Sequence, residues 1–583
     1  MHVKTFGCSH NHSDSEFMAG QLQAYGYRLE PDPALADAWV VNTCTVKNPS
    51  QSAMNTVIRD GRALNKALVI AGCVPQGDKT ARELDGLTLL GVTQIDRVVE
   101  AVERTLDGEA VQMLEKKPLP SLDLPKVRKN SLVEILPLST GCLGQCTYCK
   151  TKHARGELGS YAPEALVARA QTAIAEGVSE IWLSSEDTGA YGLDIGTDVT
   201  RLLRDLTAVL PVDGSVMLRL GMTNPPYILA HLDAVAEAMR HPGVYAWLHV
   251  PVQAGSDAVL AKMRREYVRA DFERVADALL RDVPDMTIAT DIICGFPGET
   301  QEDWEETMRL CRKYEFAELH VSQFYPRPGT PAARMRRVDT AEVKRRSREL
   351  TAFLESYQPH ARLVGTKQRV WVMDTARDGR SLVAHTKGYV QVLLSPGEDG
   401  EEARRLMGNS AIVEIVDAKR WHCVGKVLEI IETERRVDAP ESAKEAMAKP
   451  APRGTRARGS TTGAAARASA AARDARDARD ARDAAAAAAR AGDAEESSRD
   501  DPSLSTEASS RGEEETSSAF RATKPKPRGE TRDGWEALVE RVAVLGVVIG
   551  ALGLMLALAA SSAAHLRARE LYEYCATALG ARV

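Results

Sequence analysis

At 583 residues the chain is about four typical domains long, more than one hydrophobic core serves. With 44% hydrophobic and 27% charged residues it is neither disordered throughout nor a polytopic membrane protein, and a formal charge of −6 excludes a uniformly basic nucleic-acid coat. Ten cysteines are too few for a disulfide scaffold, which points to a reducing compartment and to metal-ligand use.

Met1–Lys4 leads straight into strand-like sequence without the apolar region of a secretory signal. Up to about residue 440, short apolar strands alternate with helical patterns, which predicts α/β units on parallel sheets. Three early strands, His2 to Gly7, Trp39 to Thr43 and Leu68 to Gly72, run into Cys8, Cys44 and Cys73. The carboxyl ends of parallel strands share one edge, so these thiols are expected to converge despite their wide spacing. One such cysteine reads as a small buried hydrophobe. Three in matching places read as ligands, either of an iron–sulfur cluster with an open iron or of zinc with an open site.

After the strand pattern Leu132–Leu138 comes Cys142-Leu-Gly-Gln-Cys146-Thr-Tyr-Cys149. This spacing gathers three thiolates on one tight loop and leaves the fourth iron of a four-iron cluster without a protein ligand. Zinc would need a fourth ligand, for which His153 is nearby. Further strand patterns start at Glu180, Val216, Tyr245, Thr287 and Glu318, giving six β/α units in all. Right-handed crossovers curl six such units into a partial barrel, with reactive groups at the carboxyl strand ends. Those ends carry Ser185-Glu186-Asp187, Arg219 with Gly221, Gln253, and Gly295-Phe-Pro-Gly-Glu299. Cys294, Cys311 and Cys423 read as core residues, and Cys575 has no partner at metal spacing.

From Gln368 to Glu432 alternating strands suit a small β-barrel of the nucleic-acid-binding kind. A basic run precedes it: Arg334, Arg336, Arg337, Lys344, Arg345, Arg346 and Arg348. Lys150, Lys152 and Arg155 flank the second cysteine set. Such runs are either solvated helix faces or phosphate contacts, and on an acidic protein beside an RNA-like module phosphate contact is expected. Residues 438–533 are rich in Ala, Arg, Asp, Ser and Glu, with four Ala-Arg-Asp repeats from Ala472 to Asp483, and read as a disordered tether. Val542–Ala564 is uncharged over 23 residues, about 35 Å as a helix, enough for one transmembrane span rather than a core helix. Lys524, Lys526, Arg528, Arg532 and Arg541 lie on its amino side, so the preceding domains are expected to face the cytosol, as in a tail anchor.

The C-x₃-C-x₂-C loop with Tyr148 before its last cysteine resembles radical S-adenosylmethionine (SAM) enzymes. The resemblance implies that the open iron binds SAM and generates a 5′-deoxyadenosyl radical, with Tyr148, Glu186, Arg219, Gly295 and Glu299 near the cofactor. Glu186 would accept from the SAM amino group or ribose, and Arg219 would pair with its carboxylate.

The strings Gly7-Cys-Ser-His-Asn-His-Ser-Asp14, Ala71-Gly-Cys-Val-Pro75, Ser185-Glu-Asp-Thr-Gly-Ala-Tyr-Gly192 and Ile292-Ile-Cys-Gly-Phe-Pro-Gly-Glu-Thr300 resemble the eukaryotic and archaeal branch of the tRNA methylthiotransferases. That resemblance implies an N-terminal methylthiotransferase domain (1–110), a radical SAM barrel (128–360), a TRAM-like RNA-binding barrel (364–432) and an endoplasmic-reticulum anchor (542–564). It further implies two four-iron clusters, on Cys8, Cys44 and Cys73 and on Cys142, Cys146 and Cys149. SAM would serve as both radical source and methyl donor, and an electron-donor protein is needed. The substrate would be N6-threonylcarbamoyladenosine in tRNA, 3′ of the anticodon, with Lys150, Lys152, Arg155, Arg336, Arg337, Arg345 and Arg346 on the RNA. The alternatives are the same chemistry on N6-isopentenyladenosine or on a ribosomal protein side chain, and a membrane-tethered, non-catalytic RNA-binding protein with structural zinc.

Overall fold

A computed structural model describes residues 1–45, 48–397 and 400–433. The predicted tether, the apolar stretch at 542–564 and Cys575 lie outside them. No described helix is long and apolar enough to cross a membrane.

Strands β1 (His2–Thr5), β2 (Ala38–Thr43), β3 (Ala67–Gly72), β4 (Thr88–Leu90) and β5 (Gln112–Met113) form a parallel sheet in chain order. Because β5 pairs with β4, the N-terminal domain extends beyond the expected boundary at 110, to Met113 at least. Its helices are α1 (Ser9–Tyr25), α2 (Asn48–Ala63), α3 (Cys73–Gly77) and α4 (Val98–Leu106). Side chains of β2 alternate between faces, as the pleat requires. Val40 meets Phe17, Met18 and Leu22 of α1 and Val98 and Val102 of α4 in one core. Trp39 and Val41 meet Met54 and Ile58 of α2 in another.

The barrel begins with β6 (Val133–Pro137). A two-residue pair, β7 (Ser139–Thr140) with β8 (Gly159–Ser160), brackets the cysteine loop and α5 (Thr151–Arg155). It continues through β9 (Glu180–Ser184), β10 (Met217–Arg219), β11 (Trp247–His249), β12 (Thr287–Cys294) and β13 (Glu318–Gln323). Parallel pairing runs β6-β9-β10 and β11-β12-β13, and the Leu218–Val244 bridge joins the two halves. The expected six-unit partial barrel is therefore present. Helix α1 docks on it: Ser13 Oγ donates to Ile135 O at 3.0 Å, and a Cβ on Gly20 would lie 2.2 Å from Pro125 O.

Strands β14 (Lys367–Thr375), β15 (Leu382–Thr386), β16 (Gln391–Leu394), β17 (Ser410–Ala418) and β18 (Cys423–Ile431) close a small C-terminal barrel. Val370, Trp371 and Val392 share one core with Leu132, Ile135, Met217 and Tyr245 beneath the larger barrel. Cys294, Cys311 and Cys423 are buried, as expected.

Candidate active site

The first three cysteines follow β1, β2 and β3 directly, and backbone geometry folds them inward. Gly7 has φ +115°, and a Cβ there would lie 2.5 Å from Cys44 Cβ. Gly72, at φ +93°, has Asn42 Oδ1 only 2.1 Å from the same position. Glycine alone fits both turns. Asn11, one turn into α1, ties the set together. Cys8 Sγ donates to its Oδ1 at 3.3 Å, while its Nδ2 donates to Thr43 O at 2.8 Å and lies 4.0 Å from Cys73 Sγ. Cys44 and Cys73 are buried. Cys8 is exposed, but only into a deep cleft, where its thiol is still desolvated.

The second set is held by Gly141, at φ +81°, whose Cβ would fall 1.9 Å from Glu157 O. Cys142 N–H donates to Gly156 O at 3.2 Å and Cys149 N–H to Cys146 O at 3.1 Å, which coils the loop. Arg265 Nη1 donates to Cys146 Sγ at 2.9 Å. Tyr148 is buried edge-on against Phe296, with ring centroids 6.1 Å apart.

The two sets meet. A cleft of about 720 Å³ is lined by Cys8, by Cys142, Cys146 and Cys149, and by Glu186, Arg219 and Gln253 among others. His249 and Asp291, 2.8 Å apart, form part of its wall. Behind the wall, Ala154 of α5 packs on Cys73 of α3. Arg155, also buried, donates through Nη2 to Asp14 Oδ2 at 2.7 Å and pairs through Nε with Glu186 at 3.0 Å.

Burial pushes the Cys8 thiol up to about 11 and the Cys73 thiol to about 12, with Arg155 opposing both. Burial likewise lifts Cys142 to about 12 and raises Cys146. Three thiols at three strand ends and three more on one loop are donor sets that fit a thiolate-bound metal centre, whose binding would displace their protons. Among the described residues the group whose ligand atoms all lie within 4.8 Å of one another is His249, Asp291 and His320, and neither cysteine trio is drawn in that tightly.

Several expected site residues sit elsewhere. Glu299 is buried at the turn after β12 rather than in the cleft, accepting from Gly295 N–H at 2.8 Å and Arg346 Nη1 at 2.6 Å. Gly295, at φ +74°, is a turn packed on Val343. Both shape the β12 turn and neither lines the cleft. Asp187 is a buried acceptor for Asn224 Nδ2 at 2.7 Å. Glu186 does line the cleft; its Oε1 pairs with Arg155, while its buried Oε2 has no hydrogen-bond partner among the described residues. Burial lifts the carboxyl to about 7, with Arg155 opposing. Arg155 and Arg346 are buried in ion pairs and cannot meet RNA phosphates. Lys152 is matched by Glu157 at 2.6 Å, Arg345 by Glu342 and Glu349, and Lys150 Nζ donates to Pro328 O at 3.1 Å. Arg336 and Arg337 remain exposed. Sequence reasoning missed Asn11 and Arg265. Asn11 stands three residues after Cys8, a helical spacing that signals its contact, whereas nothing local marks Arg265.

A three-thiol loop at the carboxyl edge of a six-strand partial barrel, faced by a second thiol set from a separate α/β domain, defines a two-centre radical SAM enzyme architecture. Residues 136–311 match the radical SAM superfamily, and residues 1–87 match an uncharacterized protein family, UPF0004. The threonylcarbamoyladenosine tRNA methylthiotransferase of Drosophila melanogaster is 54% identical over 435 residues, 73% of this chain and 77% of that one. The Homo sapiens protein of the same name is 53% identical over 399 residues, covering 67% and 69%. A protein of Pyrococcus horikoshii, described as a probable member, is 36% identical over 416 residues, 70% of this chain and 97% of that one. The chain belongs to the threonylcarbamoyladenosine tRNA methylthiotransferase family.

Proposed function

We propose that this protein adds a methylthio group to C2 of the adenine of N6-threonylcarbamoyladenosine in tRNA, 3′ of the anticodon. The observation that carries the reading is the single cleft onto which both Cys8 and the barrel cysteines open. Cys142, Cys146 and Cys149 would hold one four-iron cluster, and Cys8, Cys44 and Cys73 a second. With SAM bound, these groups supply the radical, the sulfur and the methyl group, chemistry that no side chain provides at an adenine C2–H. The protein's own part is geometric and electrostatic. Asn11 and the strand-end glycines fix the first thiol set, Arg265 donates to a sulfur of the second, and the Arg155–Asp14 pair ties the two domains so that Cys8 and the barrel cysteines face one space. Arg336 and Arg337 are exposed cations suited to tRNA phosphates, and an electron-donor protein completes the system. Residues 542–564 would anchor the enzyme in the endoplasmic-reticulum membrane with its catalytic domains in the cytosol. Fractionation of the full chain against one ending at Gly454 tests that assignment.

Nucleoside mass spectrometry of tRNA from cells lacking the protein is the test of substrate. The expected result is loss of 2-methylthio-N6-threonylcarbamoyladenosine with accumulation of its unthiolated precursor. Loss of a methylthiolated isopentenyladenosine instead would overturn the substrate assignment, and zinc without iron in anaerobically purified protein would overturn the chemistry.

A further inference from the structure

Three neighbouring barrel strands bring two imidazoles and a carboxylate to one place. In the register of the sheet His249, the last residue of β11, faces Ala289 of β12, Ala289 faces Glu318 of β13, and Asp291 faces His320. Paired residues of a sheet share a face, as do positions two apart along a strand. His249, Asp291, Glu318 and His320 therefore rise from the same face of β11-β12-β13. That face is the inner one, because His249 and Asp291 line the cleft while Leu319, between Glu318 and His320, packs into the apolar core on the other side. Strand β13 ends its sheet, so His320 stays exposed and the group can be reached from solvent.

The convergence goes beyond what one pair requires. His249 Nε2 lies 2.8 Å from Asp291 Oδ2, a contact that needs no third member. Yet His320 is drawn in as well, its ring edge-on to that of His249 with centroids 5.6 Å apart. One ligand atom from each of the three lies within 4.8 Å of the others. Glu318 steadies the third ring. Trp247 Nε1 donates to its Oε2 at 2.8 Å, and its Oε1 lies 3.6 Å from His320 Nε2. A carboxylate beside a ligating imidazole is the usual outer support of a metal site, where it fixes the ring and raises its basicity.

The donor set selects the cation. Two imidazoles with one carboxylate suit zinc and its first-row neighbours, whereas magnesium and calcium take oxygen ligands. Three protein ligands leave at least one position of a tetrahedral ion for water or for an oxygen or nitrogen atom of a molecule in the cleft.

We propose that His249, Asp291 and His320 bind one divalent first-row transition cation on the cleft wall, at a site separate from both cysteine sets.

The test uses the full chain, purified anaerobically with its cluster iron and sulfide verified, and zinc chloride as the probe. Equilibrium dialysis should load one zinc per chain without releasing iron, and magnesium should not compete. Zinc K-edge absorption should show imidazole nitrogen and carboxylate oxygen at about 2.0–2.2 Å and no sulfur at about 2.3 Å. Losing a ligand should cost at least as much as losing an outer partner, so His320→Ala and Asp291→Asn should each weaken zinc by about 10-fold or more. His320→Ala removes an exposed side chain, and its retained cluster iron verifies the fold. Absence of bound zinc, sulfur in its coordination shell with loss of iron, equal competition by magnesium, or variants that bind zinc like wild type would each overturn the proposal. The absorption spectrum of the wild-type protein decides the ligand set whatever either substitution does to folding.

Discussion

Cys8 differs from Cys44 and Cys73 in opening onto the cleft, and it belongs to a different domain from the loop that would hold SAM. Cys8→Ala should therefore abolish methylthiolation and cost one cluster's worth of iron, while SAM cleavage to 5′-deoxyadenosine continues, measured by chromatography of the small products. Equal loss of both activities would show that the two thiol sets do not have separate roles. Glu134 makes a second prediction. Its side chain is fully buried, yet Lys126 at 2.8 Å, Arg128 at 2.5 Å and Arg169 at 3.1 Å surround it. Burial alone would raise its pKa, but the three cations outweigh burial and hold it at about 2, below its usual 4.5. A carboxyl depressed in the folded state stabilises above its unfolded pKa and loses that contribution as pH falls through the folded value. The expected loss is about 3 kcal/mol between pH 4.5 and 2. The urea midpoints of wild type and Glu134→Gln should be far apart at pH 7 and converge through that window.

Among the elements, the loops rather than the strands carry the exacting geometry. Gly141→Ala would drive a methyl into Glu157 O, so barrel iron and SAM cleavage should both be lost. Gly26→Ala, at φ +116° but with open space around it, should cost only about 1–2 kcal/mol. Iron analysis and thermal denaturation of the two variants distinguish steric clash from backbone strain. The strands that carry the cysteines were legible in the sequence, because an apolar run ending in cysteine states both burial and edge position. Strands β15 and β18 were not. β15 has only Leu382, Ala384 and Thr386 facing inward, and β18 exposes Leu428. The basic residues misled for a related reason. Arg155 and Arg346 stand in cationic runs, but their buried partners Asp14, Glu186 and Glu299 lie far away in sequence, and only Glu342, one helical turn before Arg346, leaves a local trace of the pairing.

On the scale of the whole molecule, the two barrels are one folding body. Trp371 Nε1 donates to Gly214 O at 2.8 Å, Ser179 Oγ to Gly408 O at 3.0 Å, and Asn130 Nδ2 to Met373 O at 2.8 Å, all around the shared core. Deleting 364–433 would expose that apolar face, so the remainder should aggregate and fail to take up iron at Cys142, Cys146 and Cys149, as read by size-exclusion chromatography and iron content. The N-terminal domain docks by both kinds of contact, the buried Arg155–Asp14 ion pair and an apolar core that joins Phe17, Met18 and Leu22 to Leu136, Leu138 and Leu166, and it leaves the cleft as an open approach to Cys8. On the function proposed above, a sulfur supplier and the nucleobase would both approach Cys8 through the cleft that Cys142, Cys146 and Cys149 also line, so the two visitors would have to take turns there.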